Sequence, residues 1–363
     1  MLNPKQPSVL GKNRIVMIAI ALISAAVIGV PVSASATGAP VAHGGARQVW
    51  ATGVPAKGAV SLLNAKGAVV QKIKASAEGG VLFRDVAPAS GYRIRLASKA
   101  VSAPVTVHTT AGAPWNPSIY DQKINPDGYG YLTTRDGTKL AYTVHLPTHP
   151  ATLGAGLPSQ VENALPNLGL PYTGPYPTLV EYSGYATATP KGPESGIAAV
   201  ANLMGFAVVD VSMRGTGCSG GAFDFFEPMQ NLDAYDAIET VARQPWVTNH
   251  KVGMLGISYG GISQLFAAQY NPPSLAAIAP LSVIASVPTT LFPGGFLNTG
   301  FALSWAKDRV HDSKPSTATT GQPYAGTHIS NGDTTCAGNQ ALHGQAIDLV
   351  GEIKANRRYL PRV

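Results

Sequence analysis

The chain has 363 residues, enough for two or three domains with an apolar core. Only 12% of its residues are charged, while glycine (40) and proline (29) are plentiful, a balance that suits a loop-rich exported protein and excludes a helical bundle. The formal net charge is +7, but Lys5, Lys12 and Arg14 fall in the first residues and the rest is spread without a Lys/Arg run, so no nucleic-acid partner is expected.

Residues 1–36 read as a signal peptide. A basic start precedes the apolar run Ile15–Val32, and Ala34-Ser35-Ala36 supplies small residues at a cleavage position. The alternative is an uncleaved membrane anchor, since the run is about long enough to span a bilayer. Either way the expected location is secreted or cell-envelope, with membrane contact through this segment alone. No cysteine follows the apolar run, and no twin arginine precedes it. The two cysteines, Cys218 and Cys336, form an even pair in an oxidising compartment, which favours one disulfide over two separate thiols.

Residues 37–46 read as a linker, the first part of a domain placed at 37–112. Within it Val49–Val54, Ala59–Leu63, Ala68–Ile73, Val81–Val86, Tyr92–Leu96 and Val105–His108 are short strands separated by turns, the pattern of a small β-sandwich. With no aromatic cluster in evidence, a packing or spacer role is preferred to carbohydrate or surface binding. Residues 113–288 follow as a second domain. Its opening strands, Gly130–Thr134 and Lys139–Leu146, are joined by Arg135-Asp136-Gly137-Thr138, a hairpin signal. After a long Pro/Gly-rich loop (147–176), strands Thr178–Tyr182, Phe206–Val211, Val252–Ile257 and Ala276–Ile284 alternate with helices Ser195–Met204, Leu232–Ala242 and Gly261–Tyr270. This is the grammar of a mostly parallel sheet wrapped by helices, with the hairpin as an antiparallel edge. After Ser286 the alternation stops. Residues 289–363 read as the start of a helical cap, with Ala341–Ala355 helix-like and Asp308-x-x-His311 a turn of cap helix.

The chemistry centres on Gly256-Ile257-Ser258-Tyr259-Gly260, between an apolar strand and an apolar helix. A serine on such a turn presents its hydroxyl at the carboxyl edge of the sheet, a nucleophile elbow. Tyr182-Ser183-Gly184-Tyr185 ends the Thr178 strand at the same edge, where a tyrosine hydroxyl could donate to a developing oxyanion or simply be buried and satisfied. Gly215 to Gly220 spells G-x-G-x-x-G, but Gly-Ala-Phe-Asp-Phe-Phe-Glu-Pro follows in place of an opening helix, so the stretch reads as a glycine-rich βα loop and not a dinucleotide site. No H-E-x-x-H, Cys/His cluster or Walker loop is found, and no metal or cofactor is expected. A serine needs an adjacent base. Downstream of Ser258 the acids are Asp308, Asp312, Asp333 and Asp348 and the histidines His311, His328 and His343; none follows a strand-like run.

Three segments together, Gly256-Ile257-Ser258-Tyr259-Gly260-Gly261, Arg214-Gly215-Thr216-Gly217-Cys218-Ser219-Gly220-Gly221 and Pro177-Thr178-Leu179-Val180 with Tyr185 beyond, resemble the cocaine-esterase-like (CocE/NonD) and Xaa-Pro dipeptidyl-peptidase-like (S15-type) α/β-hydrolases. Asp136-Gly137-Thr138-Lys139-Leu140 adds the opening hairpin, and the likeness spans about Tyr129 to Ile284. The resemblance implies an exported serine hydrolase acting on ester or amide (peptide) acyl bonds, in small molecules or peptides, through an acyl-enzyme. Ser258 would be the nucleophile, with the Tyr259 N–H and the Tyr185 hydroxyl holding the oxyanion. Tyr185 is chosen over Tyr182 by its spacing from the strand that Pro177 opens. The family continues through a helical cap, two more strands bearing the triad Asp and His, and a jelly-roll domain. The two strands and the jelly-roll are not found here, so the chain reads as the front of a longer hydrolase, ended inside its cap and lacking the last part of its sheet. The competing expectation is a non-catalytic exported protein that keeps the fold for binding.

Overall fold

The computed structural model describes residues 38–126, 128–147, 172–189, 196–284 and 286–356. The expected signal peptide and most of the 147–176 loop lie outside the described residues.

Strands β1 (Ala42–Gly44), β2 (Val49–Ala51), β3 (Ala59–Leu63), β4 (Val69–Lys74), β5 (Val81–Phe83), β6 (Ala89–Leu96) and β7 (Val105–Val107) form two antiparallel sheets, ordered β1-β2-β5 and β4-β3-β6-β7. Their inner faces share an apolar core that includes Val49, Leu62, Phe83 and Ile94. One expectation is corrected. Residues 42–44 are not linker: they pair with Val49–Ala51, and the His43 ring stacks on Trp50 with centroids 3.9 Å apart. Strand pairing supplies the partners that so short and mixed a segment cannot announce by composition.

The larger sheet contains β8 (Gly128–Thr133), β9 (Lys139–His145), β10 (Tyr176–Ser183), β11 (Ala207–Ser212), β12 (Val247–Ile257) and β13 (Leu275–Leu281). Its order among the described residues is β13-β12-β10-β11-β9-β8. The four strands from β10 to β13 are parallel, and β9 and β8 add the antiparallel edge expected from the hairpin. Gly137, at φ 85°, closes that hairpin, the left-handed conformation glycine adopts at no steric cost. Helices α1 (Gly196–Leu203), α2 (Pro228–Ala242) and α3 (Tyr259–Ala268) flank the sheet. The helix expected from Leu232 begins a turn earlier, at Pro228, where the fixed φ of proline suits a first helical position. From Met229 to Ala242 every residue of α2 is buried.

Beyond β13 come α4 (Val287–Leu291), α5 (Phe301–Asp312), α6 (Pro323–Ser330), α7 (Thr334–Asn339) and α8 (Leu349–Ala355). The single helix expected over Ala341–Ala355 is divided: a 3₁₀ turn covers Gln340–Gln345, and α8 starts afresh after Asp348, whose side chain accepts from the Gly351 N–H. Asp308 and His311 lie on α5. Cys218 and Cys336 are joined in a disulfide that ties the loop after β11 to α7.

Candidate active site

The turn from β12 into α3 is held by backbone geometry that few side chains tolerate. Ser258 sits at φ 56°, ψ −114°, and its N–H donates to the Leu281 carbonyl of β13 at 2.9 Å. A Cβ at Gly256 would stand 2.8 Å from the Gly260 backbone, and one at Gly261 would strike the Leu281 carbonyl oxygen. Close approach therefore requires Gly256, the first glycine of G-x-S-x-G, and Gly261, the residue after the second; Gly260 supplies the backbone that Gly256 approaches. Gln264, one turn into α3, accepts from the Ala279 N–H and locks the helix to β13.

Tyr185 stands just beyond the carboxyl end of β10, the strand beside β12, and its hydroxyl lies 3.5 Å from Ser258 Oγ. Tyr182 is fully buried and donates to the Gln230 carbonyl of α2 at 2.7 Å, so of the two tyrosines only Tyr185 faces the serine. The Tyr259 side chain is buried under the elbow, edge-on to Tyr185, Phe226 and Trp305. Burial pushes its hydroxyl well above the usual phenol range, so the ring acts as packing. Its backbone N–H, in the first turn of α3, has no intrahelical acceptor.

Two residues that the sequence reasoning missed complete this cluster. Trp305 Nε1 donates to the Tyr185 hydroxyl at 3.0 Å, and the Arg309 guanidinium lies 4.6 Å from the Tyr185 ring centroid while pairing with Asp312 at 2.7 Å. Both sit on one face of α5, four residues apart; such spacing was legible, but any helix with a buried face shows it. Ser258 opens onto an apolar cavity of about 300 Å³ walled by Phe225, Ile262, Leu291, Trp305, Leu349 and Ile353, among others.

The structure does not bring the histidines of the downstream segment to Ser258. His311 is half exposed and reaches toward the Thr319 carbonyl; His328 stacks on Tyr129 beside Asp333. His343 is buried, its ring nitrogens facing the Ser219 and Lys314 carbonyls, and burial holds its pKa below the ordinary value. Asp333 and Asp348 cap α7 and α8, Asp308 is exposed, and Asp312 pairs with Arg309. Among the described residues, Ser258 Oγ makes its side-chain hydrogen bond with Tyr185.

The glycine-rich loop after β11 is closed by the Gly215 N–H donating to the Gly220 carbonyl at 2.8 Å. A Cβ on Gly217 would strike the Tyr324 hydroxyl, and the Gln340 side chain donates to the Gly217 carbonyl. The loop is packed by the chain's own residues. Arg214 at its head donates from Nε and Nη2 to Asp233, both at 2.6 Å, and from Nη1 and Nη2 to Asp136 at 3.1 and 3.3 Å.

Comparison with known proteins places this arrangement. The model of the X-Pro dipeptidyl-peptidase (S15) family matches residues 160–348. A protein of Mycobacterium bovis provisionally named a serine esterase is 29% identical over 181 residues, covering 49% of this chain and 28% of that protein. The cocaine esterase of a Rhodococcus species is 35% identical over 104 residues, 28% of this chain and 18% of that enzyme. The chain thus spans well under a third of the length of these relatives. Among solved structures, a CocE/NonD family hydrolase from Staphylococcus aureus superposes with a TM-score of 0.41 at 23% identity, covering 50% of this chain and 32% of that one. On the extent of the family match, the chain belongs to the X-Pro dipeptidyl-peptidase (S15) family of α/β-hydrolases.

Proposed function

We propose that this chain carries the nucleophile and oxyanion hole of an exported serine hydrolase that cleaves ester or amide acyl bonds through an acyl-enzyme. The observation that carries the reading is the juxtaposition of Ser258, strained on the β12–α3 turn, with the Tyr185 hydroxyl 3.5 Å away at the mouth of an apolar cavity. Ser258 Oγ attacks the carbonyl carbon and gives up its proton to a general base. The carbonyl oxygen becomes an oxyanion that accepts from the Tyr259 N–H and the Tyr185 O–H. Collapse expels the alcohol or amine, which takes up the proton; water then releases the acid and restores the serine. None of His311, His328 and His343 is assigned as that base, since their contacts lie with Thr319, Tyr129 and Ser219. The cavity walls suit an uncharged, apolar acyl group. Export is supported by the basic start, apolar run and Ala34-Ser35-Ala36 of the leader, and by the Cys218–Cys336 disulfide.

Labelling by a fluorophosphonate probe tests the reading. The expected result is a labelled chain whose signal disappears in Ser258→Ala. Folded wild-type protein that stays unlabelled would favour the binding reading, in which the fold is kept without catalysis.

A further inference from the structure

The cluster around Tyr185 contains more than a nucleophile needs for support. A phenol hydroxyl has one proton to give and lone pairs to accept with. Trp305 Nε1 has a proton to give and no lone pair to accept with. The 3.0 Å contact between them therefore has a fixed direction: the indole donates and the Tyr185 oxygen accepts. The same oxygen lies 3.5 Å from Ser258 Oγ. With its indole-facing side occupied as acceptor, the Tyr185 proton is turned to the remaining side, where the serine stands and where an oxyanion would form.

The rest of the setting keeps Tyr185 in that pose. The Tyr185 N–H donates to Ser183 Oγ at 3.2 Å, and the ring meets Tyr259 edge-on with centroids 5.6 Å apart. Arg309, buried and tied to Asp312, lies over the ring at 4.6 Å and over Trp305 at 5.5 Å. The cation on the ring face is attracted to it and helps to hold the phenol in place.

We infer that Trp305 is a positioning residue of the acyl-transfer reaction: its indole N–H orients the Tyr185 hydroxyl so that the tyrosine donates to the oxyanion. The inference rests on the Ser258–Tyr185 reading above. Trp305 also walls the cavity, so two roles must be separated. An orienting role is felt in the transition state and lowers kcat; a wall that only binds the acyl group is felt in KM.

The test is a double-mutant cycle on Ser258-dependent hydrolysis of 4-nitrophenyl butyrate by the full chain. Trp305→Phe keeps a ring against Tyr259 and Phe225 but removes the N–H. A thermal melt confirms that each variant is folded. We expect Trp305→Phe to lower kcat about 3- to 10-fold, the worth of one neutral hydrogen bond, with KM nearly unchanged. Tyr185→Phe should lower kcat about 100-fold, and adding Trp305→Phe to it should cost little more. A Trp305→Phe loss that multiplies fully onto the Tyr185→Phe loss, or that falls on KM alone, would overturn the positioning role and leave the Ser258 reading intact. Turnover that survives Ser258→Ala, or is absent from the wild type, would overturn that reading and this inference with it.

Discussion

At φ 56° and ψ −114°, Ser258 occupies backbone space that glycine enters freely and an alanine or serine enters only under strain. Nothing in the side chain compensates, because the hydroxyl supplies no cap to the helix it begins. Strain of this kind is retained only where something else holds it, here the bond from the Ser258 N–H to Leu281 and the close approach of Gly256 to Gly260. Two substitutions that both remove the hydroxyl should therefore differ. Ser258→Gly should be more stable than Ser258→Ala by about 1 kcal/mol, strain relief being partly offset by the greater chain entropy of glycine. Urea denaturation of the two variants measures this, and coincident midpoints would show an unstrained turn. The elbow was legible because its requirement is local: two close approaches translate into two glycines at fixed offsets. The neighbours of Tyr185 were not. Trp305 and Arg309 reach the site from a helix far along the chain, and only the packed fold brings them over that ring.

Between β11 and α2 the sequence shows conspicuous glycines, yet the residue that organises the element is Arg214. It holds Asp233 of α2 and Asp136 of the β8–β9 turn, so three elements meet on one buried guanidinium. Burial alone would raise Asp136, but Arg214 beside it and the Thr138 N–H hold its carboxyl below the ordinary value. Arg135, next in the same turn, makes a second buried pair with Asp236 at 2.8 Å, and Tyr120 donates to the same carboxylate at 2.7 Å. An arginine is suited to this task because its planar fork serves two carboxylates at once. Arg214→Met would leave Asp136 and Asp233 buried without their cation, and the expected loss is about 3–5 kcal/mol of unfolding free energy. A shift in urea midpoint equivalent to less than about 1 kcal/mol would mean that the hydrogen bonds around these acids suffice without it. The literal G-x-G-x-x-G is legible as a βα loop because Gly221–Pro228 lacks the pattern of an opening helix. The purpose of its arginine could not be read, since the partners lie in other elements and no local spacing marks them.

The sandwich and the hydrolase sheet are closely joined. Trp50 and Leu82 of the sandwich pack with Ala222 and Leu342, while Ser76 Oγ donates to the Ala341 carbonyl at 2.9 Å. Arg84 donates to the Gln345 carbonyl and pairs with Asp224 at 3.3 Å. These contacts grip the loop ahead of α2 and the 3₁₀ turn beside α7. Composition could identify the strands, because alternation is a property of each strand alone; the docking face is written in scattered residues. Its most informative member is Glu227, immediately before α2. One carboxylate oxygen accepts from Gln48 of the sandwich, and the other is enclosed with no hydrogen-bond partner among the described residues. Burial pushes this carboxyl from its ordinary 4.5 up to about 8, with Arg214 opposing the shift, so the folded chain holds a proton there that the unfolded chain has lost. A raised carboxyl pKa contributes stability that is complete below about pH 4.5 and is lost as pH rises through about 8. The urea midpoint of the wild type should therefore fall between about pH 5 and pH 8, and Glu227→Gln, which needs no proton, should make that descent shallower and exceed the wild type above about pH 8, the remaining slope belonging to Asp233, which burial raises to about 7. If both profiles fall in parallel, Glu227 is ionised in the folded chain and the docking face tolerates its charge. If the variant's descent is the shallower one, closure of the sandwich on α2 is coupled to the proton on Glu227.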